Sequence, residues 1–233
     1  RFLKKVLKHK NFLKEREMTY ETIEFETKEH VALITLNREE AANALNVQMA
    51  DELMDSAIRC DTEKSVRAVL ITARGKIFCA GGDLKVFSEA GNEVGVLAKK
   101  ITTSLHAAVS RFARMAPPLV VAVNGTVAGG GLSLVLVADM VLSARSAKFT
   151  LAYTRAGLVP DGSSTYFLPR LVGLRRAKEL IFTNRVFNAE EALDWQLINQ
   201  VLDDDLLQDE ALKLAKSLAD GPLATHGIVK HLL

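Results

Sequence analysis

Short apolar segments alternate with helical segments along most of this chain, and this alternation is what most constrains its fold. RAVLIT (67–72), LVVAV (119–123) and MVLSA (140–144) each predict a buried strand, because their apolar residues are nearly continuous. Asn46 can cap a helix whose apolar residues recur at three- and four-residue spacing. The pattern predicts a mixed α/β fold.

The remaining elements extend the same pattern from Thr19 onward. TIEFETK and VALITL predict a hairpin around Glu29–His30. After Gly173 the chain is expected to be mainly helical, including an amphipathic segment, LLQDEALKLAKSLA. The predicted helices span 98–114, 129–138, 161–171 and 206–219.

Composition limits the kinds of partner and compartment. The chain has 233 residues, 48% of them hydrophobic, which suits one or two globular domains with a core. A net charge of +2 gives no argument for binding nucleic acid or an anionic membrane. The sequence contains no apolar run of about 18 residues, so it does not predict a membrane-spanning helix. Cys60 and Cys79 fit neither a disulfide framework nor a metal site, so we expect a reducing compartment, the cytoplasm.

Residues 1–17 form a basic, partly amphipathic stretch that ends before Met18, a candidate start. A transit peptide and a nucleic-acid-binding arm are two interpretations of it. Glu15, Glu17 and the absence of Ser argue against targeting. We therefore expect an upstream extension or an accessory helix.

Two glycine-rich turns are the strongest functional signals. FCAGGDL (78–84) and NGTVAGGGLSL (124–134) each place glycines directly after a predicted strand. Glycine lets backbone N–H groups approach a ligand, and a helix beginning at Gly130 or Gly131 directs free donors there. Two such donors can hold an oxyanion, with simple tight turns as the alternative. Dinucleotide and triphosphate sites are not predicted, because their glycine patterns are absent.

Several separated motifs together resemble the enoyl-CoA hydratase/isomerase (crotonase) family. AGGDL and NGTVAGGG match its A-G-x-D-[LI] and N-G-x-x-x-G-G-G patterns, and LNREEAANALN (36–46) and FTLAYTRAGLVPDGSSTYFLPRLVG (149–173) support the match in order. The resemblance spans Thr19 to His231. It implies a ClpP-like spiral of strand–strand–helix units over 18–205 and a C-terminal helical region over 206–233, used in homotrimers or hexamers. In the family a final helix commonly helps to close the acyl pocket; because this chain stops at Leu233, we expect that helix to be missing or disordered.

The resemblance also assigns the binding site. It implies an acyl-CoA thioester substrate, with no separate cofactor, whose carbonyl is held by the backbone N–H groups of Gly82 and Gly130. Arg38 is a candidate phosphate contact, with a solvated surface Arg as the alternative. The expected contacts to the adenine and pantetheine lie at Ala80, Gly81, Asp83 and Leu84.

The acid–base residues then favour one reaction over others. The family's hydratases use two Glu residues, whose positions here hold Ser133 and Tyr153, so ordinary hydration is not expected. Asp161 lies where the family's isomerases carry their single base. One carboxylate can move a proton between the α and γ carbons on one face of a dienolate. The alternative is that Asp161 only caps a helix.

His106 and Tyr153 leave further interpretations open. The GLVPD and LPRLVG segments are most similar to ring-epoxide isomerases of phenylacetyl-CoA breakdown. His106 coincides with a His that the family's chlorobenzoyl-CoA dehalogenases pair with Asp, but those enzymes carry Trp where this chain has Tyr153. Tyr153 is expected to shape the acyl pocket or donate a hydrogen bond, or simply to pack. The expected function is acyl-CoA double-bond isomerisation; the alternatives are atypical hydration or thioester hydrolysis, and a non-catalytic acyl-CoA- or RNA-binding protein.

Overall fold

A computed structural model describes residues 19–233, so the predicted extension over 1–17 lies outside the described residues. The strands, in chain order, are β1 (Ile23–Lys28), β2 (Val31–Leu36), β3 (Ala68–Ala73), β4 (Ile77–Cys79), β5 (Leu119–Val123), β6 (Thr126–Ala128), β7 (Met140–Ala144), β8 (Lys148–Thr150), β9 (Phe187–Asn188) and β10 (Gln200–Leu202). The helices are α1 (Val47–Thr62), α2 (Leu84–Glu89), α3 (Val94–Arg114), α4 (Gly130–Leu136), α5 (Ser164–Val172), α6 (Leu174–Thr183), α7 (Ala189–Asp194), α8 (Leu207–Asp220) and α9 (Leu223–Leu232).

The strands form two sheets, and the chain alternates between them. The larger sheet has the order β1-β2-β3-β5-β7-β10, with β1 antiparallel to β2 and the other neighbours parallel. The smaller sheet has the order β4-β6-β8-β9. Each of β3, β5 and β7 is followed by one short strand of the smaller sheet and then by helix. The predicted spiral of strand–strand–helix units is therefore confirmed.

The buried core includes residues of the central strands and of α1 and α3. Every residue of β3 and β5 is buried, as the continuous apolar segments predict. The predicted cap of α1 is also present, because the Asn46 side chain accepts a hydrogen bond from Met49 N at 2.8 Å. The buried face of α3 includes Leu105 and Phe112. Since β4 and β6 emerge from this core, the turns that follow them are held on a rigid base.

Glu52 on α1 fixes the start of the first strand. Its side chain is fully buried, and its carboxylate accepts backbone N–H bonds from Glu21 and Thr22 at 2.8 Å and from Ile23 at 3.1 Å. The Thr22 hydroxyl and the Gln48 amide donate two more. Burial alone would raise the pKa of Glu52, but these hydrogen bonds outweigh it and hold that pKa below its ordinary value.

One predicted helix boundary was wrong. The helix expected from Asp161 begins only at Ser164, because Gly162 and Ser163 have left-handed φ angles of 54° and 64°. Some short elements were not predicted: α2 lies between the first glycine turn and α3, and β9 and β10 lie in the region after Gly173, which is otherwise mainly helical, as predicted. These elements are too short to show a period in the sequence.

Within residues 19–233, no helix has both the length and the apolar character needed to cross a membrane.

Candidate active site

A cavity of about 370 Å³ lies between the two glycine turns, α3 and the loop before α5. Most of its lining side chains are apolar, and Asp161 is the one charged residue among the described residues that line it. The lining comprises Leu45, Ala80, Gly81, Gly82, Leu84, Phe87, Val94, Ala98, Ile101, Thr102, Leu105, Gly129, Gly130, Ala152, Tyr153, Ala156, Leu158, Val159 and Asp161. An apolar cavity with one carboxylate suits an acyl group and a proton transfer.

The first glycine turn presents the N–H of Gly82. Leu45 pairs with this turn as an isolated bridge, in which Leu45 N donates to Gly81 O at 2.7 Å and Asp83 N donates to Leu45 O at 3.0 Å. The Gly82 N–H lies between these two bonds and donates to no other group within residues 19–233. It is therefore free to bind a ligand at the cavity wall.

The second glycine turn presents the N–H of Gly130, the first residue of α4. A helix cannot satisfy its own first N–H groups, and in the described part of the chain this one has no acceptor. The turns are in contact, since a Cβ on Gly81 would lie 3.4 Å from Gly130 N. Both predicted donors thus line one cavity, where they can hold a thioester oxygen.

Neighbouring side chains pack closely against both donor positions. A Cβ on Gly82 would come 2.7 Å from Phe87 Cε2, and one on Gly130 would come 2.9 Å from Leu45 Cδ1. Phe87 was not predicted as a site residue, because α2 itself was not predicted. Its ring lies against the first turn and forms part of the cavity wall.

Two side chains contact the Asp161 carboxylate, one from the preceding loop and one from α3. The Tyr153 hydroxyl donates to Asp161 Oδ1 at 2.7 Å, and His106 Nε2 lies 3.1 Å from Oδ2. The structure therefore brings together the three polar side chains that the sequence singled out. Asp161 does not cap α5, since the residue before that helix is Ser163 and it makes no side-chain capping bond.

The Tyr153 phenol is a hydrogen-bond donor in this arrangement. Burial raises its pKa far above the ordinary value, and the neighbouring Asp161 carboxylate raises it further. The phenol therefore stays protonated near neutral pH and donates to the carboxylate. Its oxygen also lies 3.9 Å from the Cβ position of Gly130, so it stands beside the second glycine turn.

Ser133 occupies the first of the two positions at which hydratases of the resembled family carry Glu. It is fully buried, and its hydroxyl pairs with Ser164 Oγ at 3.2 Å. A Cβ on Gly162 would come 2.3 Å from Ser133 Oγ, so the two residues are tightly packed. Ser133 does not line the cavity and offers no base to it.

Arg38 and Asp83 are joined to each other behind the first glycine turn. Arg38 Nη1 donates to Asp83 Oδ2 at 2.6 Å and to Ala44 O at 2.9 Å, and Asp83 Oδ1 caps α2. Partial burial raises the pKa of Asp83, but the Arg38 guanidinium and the capping bonds lower it more. Contacts of Arg38 and Asp83 with coenzyme A stay predictions. Ala80 and Leu84 are exposed at the cavity.

A match to a protein-family model establishes the family of this chain. The model for the enoyl-CoA hydratase/isomerase family matches residues 26–233. This chain belongs to the enoyl-CoA hydratase/isomerase family. The resemblance drawn from the glycine motifs is therefore confirmed, and an acyl-CoA thioester is the substrate class of this family of enzymes.

Similar proteins support the assignment to this family, and their names indicate different reactions. The chain is 36% identical over 204 residues to a 1,2-epoxyphenylacetyl-CoA isomerase of Escherichia coli, covering 87% of this chain and 78% of the relative. It is 33% identical over 210 residues to 4-chlorobenzoyl coenzyme A dehalogenase-2 of an Arthrobacter species, covering 90% and 76%. The crystal structure of an enoyl-CoA hydratase from Bacillus anthracis superposes with a TM-score of 0.84 at 32% identity, covering 91% and 81%. The fold is thus shared, while the reaction has to be argued from the site.

Proposed function

We propose that this protein is an acyl-CoA double-bond isomerase that converts 3-enoyl thioesters to 2-enoyl thioesters. One observation carries the proposal: among residues 19–233, Asp161 is the single carboxylate that lines the cavity, and the free Gly82 and Gly130 N–H groups lie in the same cavity. Hydration in the family requires two carboxylates, and their positions hold Ser133 and Tyr153. One base facing a stabilised enolate is sufficient for a proton shift.

The reaction follows from this geometry. The thioester oxygen accepts hydrogen bonds from Gly82 N and Gly130 N, which stabilise negative charge on that oxygen. Asp161 removes a proton from Cα, and the electron pair of that bond enters a dienolate. The protonated Asp161 then delivers a proton to Cγ, so the double bond moves next to the thioester. The carboxylate is regenerated.

Two parallel assays test the proposal against hydration. The purified protein is supplied with 3-hexenoyl-CoA, and the conjugated 2-enoyl product is followed by its absorbance. It is separately supplied with 2-hexenoyl-CoA in water labelled with a heavy oxygen isotope, and mass spectrometry measures whether the product contains the label. We expect isomerisation in the first assay and no oxygen uptake in the second. Water addition as the main reaction would contradict the proposal.

A ring-bearing thioester is the second candidate substrate for the same proton-transfer site. The cavity is largely apolar, with Phe87 and Leu105 in its walls, and the 36% identical relative from Escherichia coli is an epoxyphenylacetyl-CoA isomerase. Activity on such a ring thioester without activity on 3-hexenoyl-CoA would favour this candidate. Dehalogenation is less well supported, because Tyr153 replaces the Trp of that subgroup.

Tyr153→Phe is expected to lower kcat by about tenfold, because the carboxylate loses the bond that fixes Oδ1. The ring packing remains, so the thermal midpoint should change little. Tyr166→Phe is the matched control, since Tyr166 is exposed and its hydroxyl has no hydrogen-bond partner within residues 19–233. Steady-state kinetics of both variants make the comparison. An unchanged kcat in Tyr153→Phe would show that Asp161 needs no such support.

Assembly as a homotrimer or hexamer and a cytoplasmic location stay predictions. The surfaces that an assembly would cover include exposed apolar side chains on α5, α6 and α9. These are Tyr166, Leu174, Phe182, Ile228 and Leu232.

A further inference from the structure

Two groups contact His106 Nε2, and they require opposite protonation states of that nitrogen. The Gly162 N–H points at Nε2 over 3.1 Å and donates to it, while Asp161 Oδ2 lies 3.1 Å from the same nitrogen. A ring nitrogen carries either a lone pair or a proton. Because the Gly162 N–H requires the lone pair, the geometry favours a neutral His106 with its proton on Nδ1.

With no proton on Nε2, the contact between Nε2 and Asp161 Oδ2 is favourable only if Oδ2 carries a proton. A carboxylate oxygen and an imidazole lone pair are both acceptors, so their approach is unfavourable while Asp161 is ionised. It becomes a hydrogen bond once Asp161 is protonated. In the proposed reaction, Asp161 reaches that state when it takes the substrate proton. Since Tyr153 already donates to Oδ1, Oδ2 is the oxygen left to carry it.

The far side of the imidazole opens to solvent. The His106 side chain is 46% exposed, and its Nδ1 has no hydrogen-bond partner in the part of the chain that is described. An imidazole that accepts a proton at one nitrogen can release the other proton to water. The ring therefore lies between Oδ2 of Asp161 and bulk water.

We propose that His106 relays protons between Asp161 and solvent during isomerisation, an inference that rests on the proposed function. The proton taken from Cα forms an O–H bond at Oδ2, then moves to Nε2 and makes an imidazolium. The Nδ1 proton leaves to water, and the carboxylate is restored. The reverse sequence returns a solvent proton to Oδ2 and from there to Cγ. His106 acts through Asp161 and need not touch the substrate.

Isomerisation in deuterium oxide tests the relay. The wild type and His106→Gln convert 3-hexenoyl-CoA, and deuterium at Cγ of the product is measured by NMR. Glutamine can accept from Gly162 N and donate to Asp161, but it cannot carry a proton between them. We expect continued isomerisation with deuterium uptake lowered by about threefold or more. His231→Gln, an exposed histidine on α9, is the matched control and should leave uptake unchanged.

The outcomes separate the relay from the proposed function. Equal deuterium uptake in the wild type and His106→Gln overturns the relay, whether or not turnover slows, because slower turnover alone indicates a positioning role. Little uptake in the wild type overturns it as well. If the wild type forms no 2-enoyl product, the proposed function fails, and the relay fails with it.

Discussion

Asp161→Asn is expected to lower kcat on 3-hexenoyl-CoA by about a thousandfold while acyl-CoA binding persists. The amide cannot take a proton from Cα, and no other carboxylate among the described residues lines the cavity. Binding depends on the Gly82 and Gly130 N–H groups and on apolar walls, which the substitution leaves in place. Steady-state kinetics measure turnover, and calorimetric titration with 2-hexenoyl-CoA measures binding.

Asp194→Asn is the matched control for this experiment. Asp194 is exposed at the end of α7 and makes no ion pair within residues 19–233. Its replacement removes the same charge without touching the cavity. Turnover that survives in Asp161→Asn at the level of this control would mean that the base is another residue.

Glu52→Gln is expected to lower the free energy of unfolding by about 3 kcal/mol near neutral pH. Five hydrogen bonds from four residues converge on the buried Glu52 carboxylate. A glutamine turns one acceptor oxygen into a donor that faces those N–H groups. Urea unfolding of both proteins measures the difference, and Glu40→Gln, at an exposed position, should change it by less than about 0.5 kcal/mol.

The effect of Glu52 should also depend on pH. Its pKa is lowered in the folded state, so its stabilisation is fully present above the unfolded-state pKa and is lost as the pH falls through the folded-state pKa. The difference between the wild type and Glu52→Gln should therefore narrow in acid. A constant difference across that pH range would contradict the proposed role of the ionised carboxylate.

The sequence was most informative where one property persists over several residues. β5 and β7 were predicted with their observed bounds, because nearly continuous apolar residues indicate buried strands. The smaller sheet was not predicted, since its strands have two or three residues each. The start of α5 was misplaced because left-handed φ at a serine, Ser163, has no clear sequence signature.

The residues of the site also differ in how far the sequence predicted them. Gly82, Gly130 and Asp161 were found through family motifs, which record local chain geometry. The contact between His106 and Asp161 joins residues 55 positions apart; the resemblance to the dehalogenase subgroup suggested the pair, but its distances and hydrogen-bond directions depend on the fold. The direction of the Gly162 N–H depends on the left-handed turn that delays the start of α5. The proton path was therefore visible only once the fold was known.

The tight packing of Ser133 against Gly162 limits how this enzyme can evolve. A glutamate pointing where the Ser133 side chain points would need volume that Gly162 and Ser164 already occupy. Exchanging Ser133 and Tyr153 for acids would thus not recreate a two-carboxylate centre without a shift of the neighbouring backbone. A change to that chemistry in this chain would therefore require the layer around Ser133 to change together with the acids.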